Sequence, residues 1–194
     1  MTTYSINPVT VPEQRQAIST LVMAFSNDPL MRWMYAEPHQ YLKHFPELVR
    51  LFGGRAFECG TAYWASDFAA TALWLPPGVQ ADEEALVELV QESVPEQRQE
   101  ALLTVVGQLD EHHPAEPHWY LPFIGVDPRK QGMGYGSSLL ARALERCDSE
   151  HAPAYLESSS ERSTPLYERH GFEVLGTVQE GDSPPLWPML RRAR

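Results

Sequence analysis

Apolar residues recur every three to four positions in several stretches of the chain, which predicts amphipathic helices. The first helix is expected to begin after Thr10, because Thr10 and Glu13 can form a capping box and Pro12 is tolerated in a first turn. Its buried face would carry Ala17, Ile18, Leu21, Val22 and Phe25. Further helices are predicted over 27–34, 38–57, 83–93, 95–111, 135–150 and 164–170.

Short runs of apolar and β-branched residues between turn signals predict strands. The run 119–126 is apolar almost without alternation, as expected for a strand that is buried on both faces. The runs 61–64 and 71–75 flank Ser66-Asp67 and predict a hairpin. Further strands are predicted over 4–7, 154–156, 172–178 and 186–191. Strands and helices are mixed along the chain, which indicates an α+β fold.

Length, composition and charge narrow the class of protein. The 194 residues are 43% hydrophobic and 21% charged, enough for a single domain over 1–194 and short for two. The formal net charge is -11 and no long basic run precedes Arg191-Arg192, which argues against nucleic acid and anionic membranes as partners. The same charge would attract cationic small molecules or basic peptide ends, unless it serves only solubility.

Cysteine, histidine and targeting patterns add few functional signals. Cys59 and Cys147 form no disulfide or zinc motif, and both lie in predicted helices, where they are expected to be small buried hydrophobes. His112 and His113 end a predicted helix without a third ligand, so they are expected to be solvated and no metal site is predicted. Residues 1–7 lack signal-peptide features and no stretch is long and apolar enough for a membrane span, so we expect a cytoplasmic protein.

The strongest chemical signal is a strand, a glycine-rich turn and a helix between residues 124 and 137. Gly132, Gly134 and Gly136 stand at alternate positions, where the missing side chains let a ligand approach the backbone. The helix that follows offers free N–H groups and its positive dipole end, which favours a pyrophosphate. The spacing disfavours both a nucleotide P-loop and a dinucleotide fingerprint. An ordinary glycine-rich loop is the alternative.

Two sequence blocks together resemble the GNAT superfamily of N-acetyltransferases. Gln131-x-x-Gly134-x-Gly136-Ser137, after a strand ending in Ile124-Gly125-Val126-Asp127-Pro128, is similar to the superfamily's acetyl-CoA signature. The second block is Tyr155-Leu156-Glu157-Ser158-Ser159 followed by Tyr167-x-x-x-Gly171-Phe172. Trp74-Leu75-Pro76-Pro77 and the closing blocks are loosely similar to puromycin-type acetyltransferases.

The resemblance implies a mixed, largely antiparallel sheet of six to seven strands, flanked by helices and split between the strand 118–126 and the strand 154–158. Residues 117–173 would form the acetyl-CoA-binding core and residues 1–116 the acceptor side. The resemblance also implies an activity, which is transfer of an acetyl group from acetyl-CoA to a primary amine of a small molecule or peptide terminus. The amine would attack directly, in a ternary complex of protein, acetyl-CoA and acceptor. A catalytically silent acyl-CoA-binding sensor of the same fold is the alternative.

The resemblance also implies site residues. The pantetheine arm would pair with the strand backbone, and the loop N–H groups would hold the pyrophosphate. Ser163 stands where the superfamily often has Asn; serine can still cap the next helix, but an amide contact to the cofactor would be lost. The implied cofactor-binding residues are Ile124, Gly125, Val126, Gln131, Gly132, Met133, Gly134, Tyr135, Gly136, Ser137 and Ser160.

Candidate catalytic groups follow from the same resemblance. Tyr167 would be the general acid for the coenzyme A sulfur, with a purely packing role as the alternative. For the base, where relatives have a glutamate, the sequence offers His118 and Tyr120 on one side of the strand. His118 titrates in the range a base needs, Glu157 on the next strand is the runner-up, and water alone is a further alternative. A backbone N–H near Ile124 would stabilise the oxyanion.

The sequence is compatible with two kinds of acceptor amine. The acidic residues of 82–116 would attract a cationic amine. The aromatic residues of the first helices would instead select an aromatic or apolar acceptor, or form the face of a homodimer.

Overall fold

The computed structural model describes residues 4–194. Residues 1–3, part of the segment without signal-peptide features, lie outside it. The strands are β1 (Ile6–Pro8), β2 (Ala62–Ala65), β3 (Ala70–Leu75), β4 (Trp119–Val126), β5 (Ala154–Ser158), β6 (Glu173–Val174) and β7 (Trp187–Arg191). The helices are α1 (Gln14–Ala24), α2 (Pro29–Met34), α3 (Pro38–Gly53), α4 (Arg55–Glu58), α5 (Glu83–Ser93), α6 (Glu96–Asp110), α7 (Tyr135–Ser149) and α8 (Thr164–Arg169).

The seven strands form one sheet in the order β1-β2-β3-β4-β5-β7-β6. All neighbouring strands are antiparallel except β4 and β5, which run parallel. These two strands pair only at Trp119 with Ala154 and at Tyr120 with Tyr155. Beyond Tyr120 they part, and within residues 4–194 no strand pairs with β4 on that side. The predicted α+β fold, with a largely antiparallel sheet split between these strands, is confirmed.

A bulge in β4 lies directly after the point where the strands part. Leu73 pairs with Phe123, whereas Leu75 pairs with Tyr120, so two residues of β4 stand opposite one residue of β3. Pro122, which lacks an N–H group, falls inside this bulge, where proline is tolerated. Because the extra residue reverses the alternation of side chains, Tyr120 and Phe123 contact the same core cluster.

Helices cover both faces of β4. A cluster with α1 and α3 includes Phe123, and a second cluster with α7 includes Leu121. At Gly125 a Cβ atom would approach the Cβ of Ala24 in α1 to 2.6 Å, so the absence of a side chain lets α1 lie directly on the strand. Both faces of the strand therefore carry buried residues, as predicted, although alternate residues from Tyr120 to Val126 are only half-buried.

Several local predictions are wrong. The helix predicted over 38–57 is broken at Gly54, whose helix-ending position separates α3 from α4. The strand predicted over 172–178 is reduced to β6 and a single bridge at Val178. Cys59 is exposed because it follows the last residue of α4, whereas Cys147 is buried as predicted. Ser163 makes no side-chain cap to α8.

No helix within residues 4–194 is both long and apolar enough to cross a membrane.

Candidate active site

A cleft of about 1830 Å³ opens where β4 and β5 part. Its walls include the predicted catalytic residues Tyr167 and His118. They also include every predicted cofactor residue except Met133: Ile124, Gly125, Val126, Gln131, Gly132, Gly134, Tyr135, Gly136, Ser137 and Ser160. The topology therefore gathers residues from two separate sequence blocks around one space.

The glycine-rich loop takes a backbone form that side chains disfavour. Gly132 has φ of 77° and Gly134 has φ of 93°, in the left-handed region where L-residues are strained. Gly134 is the N-cap of α7, so the free N–H groups of the first helical turn follow it directly. Together with the positive end of the helix dipole they make this end of the cleft suited to an anion.

Neighbouring side chains support the loop and account for two of its residues. The hydroxyl of Tyr4 donates to the Met133 carbonyl at 2.7 Å, and its ring lies 4.1 Å from that of Tyr135. Met133 is 53% exposed, and the structure does not place it in the cleft wall. The Ser137 hydroxyl is hydrogen-bonded to His170 Nε2 at 2.7 Å, so Ser137 offers the cleft its backbone N–H.

Tyr167 is buried in the middle of α8, the helix of the second sequence block, and forms part of the cleft wall. Its ring packs against Phe172 with 6.2 Å between centroids. Burial and the negative charge of Asp28 raise the pKa of the Tyr167 phenol. The hydroxyl therefore stays protonated near neutral pH, which suits a proton donor.

A cluster of polar side chains lies at the narrow end, where β4 and β5 last pair. The Glu157 carboxylate accepts from the Tyr120 hydroxyl at 2.7 Å and from His113 Nε2 at 3.1 Å. His113 Nδ1 is 3.4 Å from His118 Nε2, and His118 Nδ1 is 2.9 Å from the Glu116 carbonyl. The structure thus brings His118, Tyr120 and Glu157 together and adds His113.

The partners of the two histidine rings determine where their protons lie. A carboxylate and a carbonyl only accept hydrogen bonds, so the neutral rings hold their N–H groups at Nε2 of His113 and Nδ1 of His118. Their remaining nitrogens then direct lone pairs at each other. Burial lowers the pKa of His118, which keeps this ring neutral at neutral pH. The histidine pair can accordingly accept one proton and share it.

His113 was expected to be solvated and is instead part of the cleft wall. The turn after α6 brings it 4.2 Å from the ring of Tyr155 in β5. Its neighbour His112 bonds to the carbonyl of Gln108 and lies outside the wall. The pair of histidines in the sequence carried no signal that distinguished one from the other. Among residues 4–194, no group of three or more His, Cys, Asp or Glu side chains is arranged to hold a metal ion.

A large part of the cleft lining is apolar. It includes Phe25, Met31, Met34, Phe52, Leu86, Val87, Val90, Leu102, Leu103 and Val106. Three of these side chains, Val87, Leu103 and Val106, are 44%, 53% and 45% exposed. Of the acidic residues of 82–116, only Glu83, Asp110 and Glu116 reach the wall. Most of the acidic surface therefore lies away from the cleft, and the apolar lining is its main chemical character.

Residues 96–172 match the model of the acetyltransferase (GNAT) family. The chain is 27% identical to an uncharacterised N-acetyltransferase of Schizosaccharomyces pombe, over 94% of this chain and 81% of that protein. A crystal structure of histone acetyltransferase HPA2 and related acetyltransferase from Corynebacterium glutamicum is 26% identical, with a TM-score of 0.71 over 100% of this chain and 98% of that one. Arylalkylamine N-acetyltransferase 2 from Aedes aegypti shares the fold, with a TM-score of 0.70 at 11% identity over 100% of both chains.

Proposed function

Because this chain belongs to the GNAT superfamily of acetyltransferases, we propose that it transfers the acetyl group of acetyl-CoA to the primary amine of a small molecule with an apolar body. Acetyl transfer follows from the family, whereas the acceptor and the roles of single residues are the proposal. The observation that carries it is one cleft whose lining combines a glycine-rich helix N-terminus with a large set of apolar side chains.

In this proposal the donor occupies the space between the parted strands. The unpaired edge of β4 beyond Tyr120 is available to the amides of the pantetheine arm, from Leu121 to Val126. The N-terminus of α7 would hold the pyrophosphate through the N–H groups that follow Gly134. Both sites lie on one continuous wall, so a single extended ligand can fill them together.

The residues around the cleft supply each proton that the reaction moves. The ammonium first releases one proton to solvent. The neutral amine then attacks the thioester carbon and the C–N bond forms, a backbone N–H near Ile124 stabilises the oxyanion, and the C–S bond breaks as the oxyanion collapses. The nitrogen loses a proton to the pair His113–His118, while Tyr167 gives a proton to the departing sulfur. Both groups return to their starting states through solvent. Overall, ammonium and thioester become amide, thiol and one released proton.

We expect the acceptor preference to follow the apolar wall. Burial of a ring the size of phenylalanine stabilises binding by ~1.5–3 kcal/mol, so 2-phenylethylamine should have a kcat/KM roughly 10- to 100-fold above that of ethylamine. Acetyl-CoA-dependent thiol release measures this directly. Leu103→Gln in the wall should reduce the preference, and Leu42→Gln, exposed outside the cleft, should not.

The same assay separates the alternatives. A higher kcat/KM for 1,4-diaminobutane than for 2-phenylethylamine, lost at high salt, would favour attraction by the acidic surface and contradict the apolar acceptor. If acetyl-CoA binds but no amine or peptide N-terminus gives thiol release, the chain is a silent sensor and the proposed enzyme function is wrong.

His113→Ala is expected to lower kcat by about 100-fold, within the range typical of a lost general base. The remaining His118 would lose the partner that shares its proton, which makes its protonated form less stable and lowers the pKa of the base. The rise of kcat with pH should therefore also move to lower pH. His112→Ala is the matched control and should leave both unchanged. A His113→Ala enzyme with wild-type kcat and pH profile would exclude the histidine pair as the base.

A further inference from the structure

Asp28 lies between α1 and α2, where its carboxylate joins two distant parts of the chain. One oxygen accepts from the backbone N–H of Met31 at 3.1 Å, which caps α2. The other oxygen accepts from the hydroxyl of Ser159, just beyond β5. Both Asp28 and Ser159 form part of the cleft wall. The carboxylate is therefore held in place by two donors while it borders the space for the acceptor.

This carboxylate has no cationic partner within the described part of the chain. The ion pairs of residues 4–194 include the buried Asp127, which pairs with Arg129, but not Asp28. Burial raises the pKa of Asp28, and its hydrogen bonds only partly oppose this. A carboxylate removed from water without a counter-charge is costly. A cation arriving from the cleft would compensate that cost.

Asp28 also lies near the expected site of chemistry. Its negative charge contributes to the raised pKa of Tyr167, so the two side chains are within electrostatic range of each other. The apolar side chains Leu30 and Met31, which follow it in the sequence, form part of the same wall. An acceptor whose ring lies on the apolar wall would thus have a charged anchor near the proposed acid.

We propose that Asp28 binds the ammonium group of the acceptor, and that it makes the site select amines over neutral nucleophiles of the same shape. This inference rests on the proposed function. Ammonium binding concentrates and orients the amine before it loses a proton and attacks. A role limited to capping α2 would instead require only a hydrogen-bond acceptor, without a charge.

The chain offers a matched pair of variants. Asp28→Asn removes the charge but keeps a good N-cap residue and nearly the same shape. Asp82 caps α5 through the N–H of Ala85 at 3.2 Å and lies outside the cleft wall. Asp82→Asn therefore makes the same chemical change at a helix cap that does not form part of the cleft wall.

The experiment is calorimetry on protein saturated with coenzyme A, which cannot react, using 2-phenylethylamine and the isosteric 2-phenylethanol at neutral pH. The wild type should bind the amine about 10- to 100-fold more tightly than the alcohol, as expected for hydrogen bonds to a charged group. Asp28→Asn should bind both equally, with unchanged affinity for coenzyme A, which also shows that the variant is folded. Asp82→Asn should behave as the wild type.

An amine preference that survives in Asp28→Asn, or that is missing in the wild type, would overturn the role of Asp28. Turnover of amines could still occur in that case, and the proposed function would stand. Conversely, an Asp28-dependent amine preference without thiol release from acetyl-CoA would support the anchor and reject acetyl transfer to this class of amine.

Discussion

Gly134→Asp is expected to weaken acetyl-CoA binding by about 100-fold or more. The residue has φ of 93° and is the N-cap of α7. A carboxylate at this position would compete with the pyrophosphate for the N–H groups of the first turn and repel its charge. The loss of charge-assisted hydrogen bonds, each ~1.5–3 kcal/mol, accounts for the size of the effect.

Calorimetry with acetyl-CoA on the folded variant tests this result. Gly60→Asp is the matched control, because Gly60 also has a positive φ, of 65°, and open space around it. It lies outside the cleft wall, so both variants carry similar backbone strain and only one faces the ligand. Unchanged affinity in Gly134→Asp would remove the pyrophosphate site from this loop.

Tyr167→Phe is expected to lower single-turnover acetyl transfer by ~10²- to 10⁴-fold while the affinity for acetyl-CoA is preserved. The change removes only the hydroxyl, and the ring still packs against Phe172. Burial raises the pKa of Tyr167, so the phenol is protonated at neutral pH. A coenzyme A thiolate is a fairly good leaving group, so we expect the lower part of this range.

Rapid-quench measurement of the acetylated amine separates the chemical step from product release. Tyr41→Phe is the control, since Tyr41 is also buried but its hydroxyl donates to the Val22 carbonyl outside the cleft. That variant should lose about 1 kcal/mol of stability and retain its rate. If Tyr167→Phe also reacts at the wild-type rate, its ring serves packing alone.

Local chemistry made the fold predictable from sequence. The capping box formed by Thr10 and Glu13 is present, and most predicted helices and strands are confirmed to within a few residues. The glycine spacing and the closing Tyr167-to-Phe172 block identified the superfamily, as the comparisons confirm. These features act within a few residues of each other, where backbone sterics and hydrogen bonding are decided by neighbouring residues.

Features of the cleft that depend on contacts between residues far apart in the chain could not be predicted from the sequence. Nothing near His113 indicated that its ring would meet Glu157, because the turn after α6 brings them together. Which acidic side chains reach the cleft depended on how α5 packs against α3 and α6.

The amino-acid sequence by itself therefore determined the α+β fold, the strand-loop-helix unit and the superfamily. Only the tertiary structure decided that Asp28 meets Ser159, that His113 and not His112 faces the cleft, and that Met133 turns outward. The physical reason is that periodicity and capping record interactions within one element. The composition of a cleft depends on how elements separated by more than one hundred positions, such as Asp28 and Ser159, pack against each other.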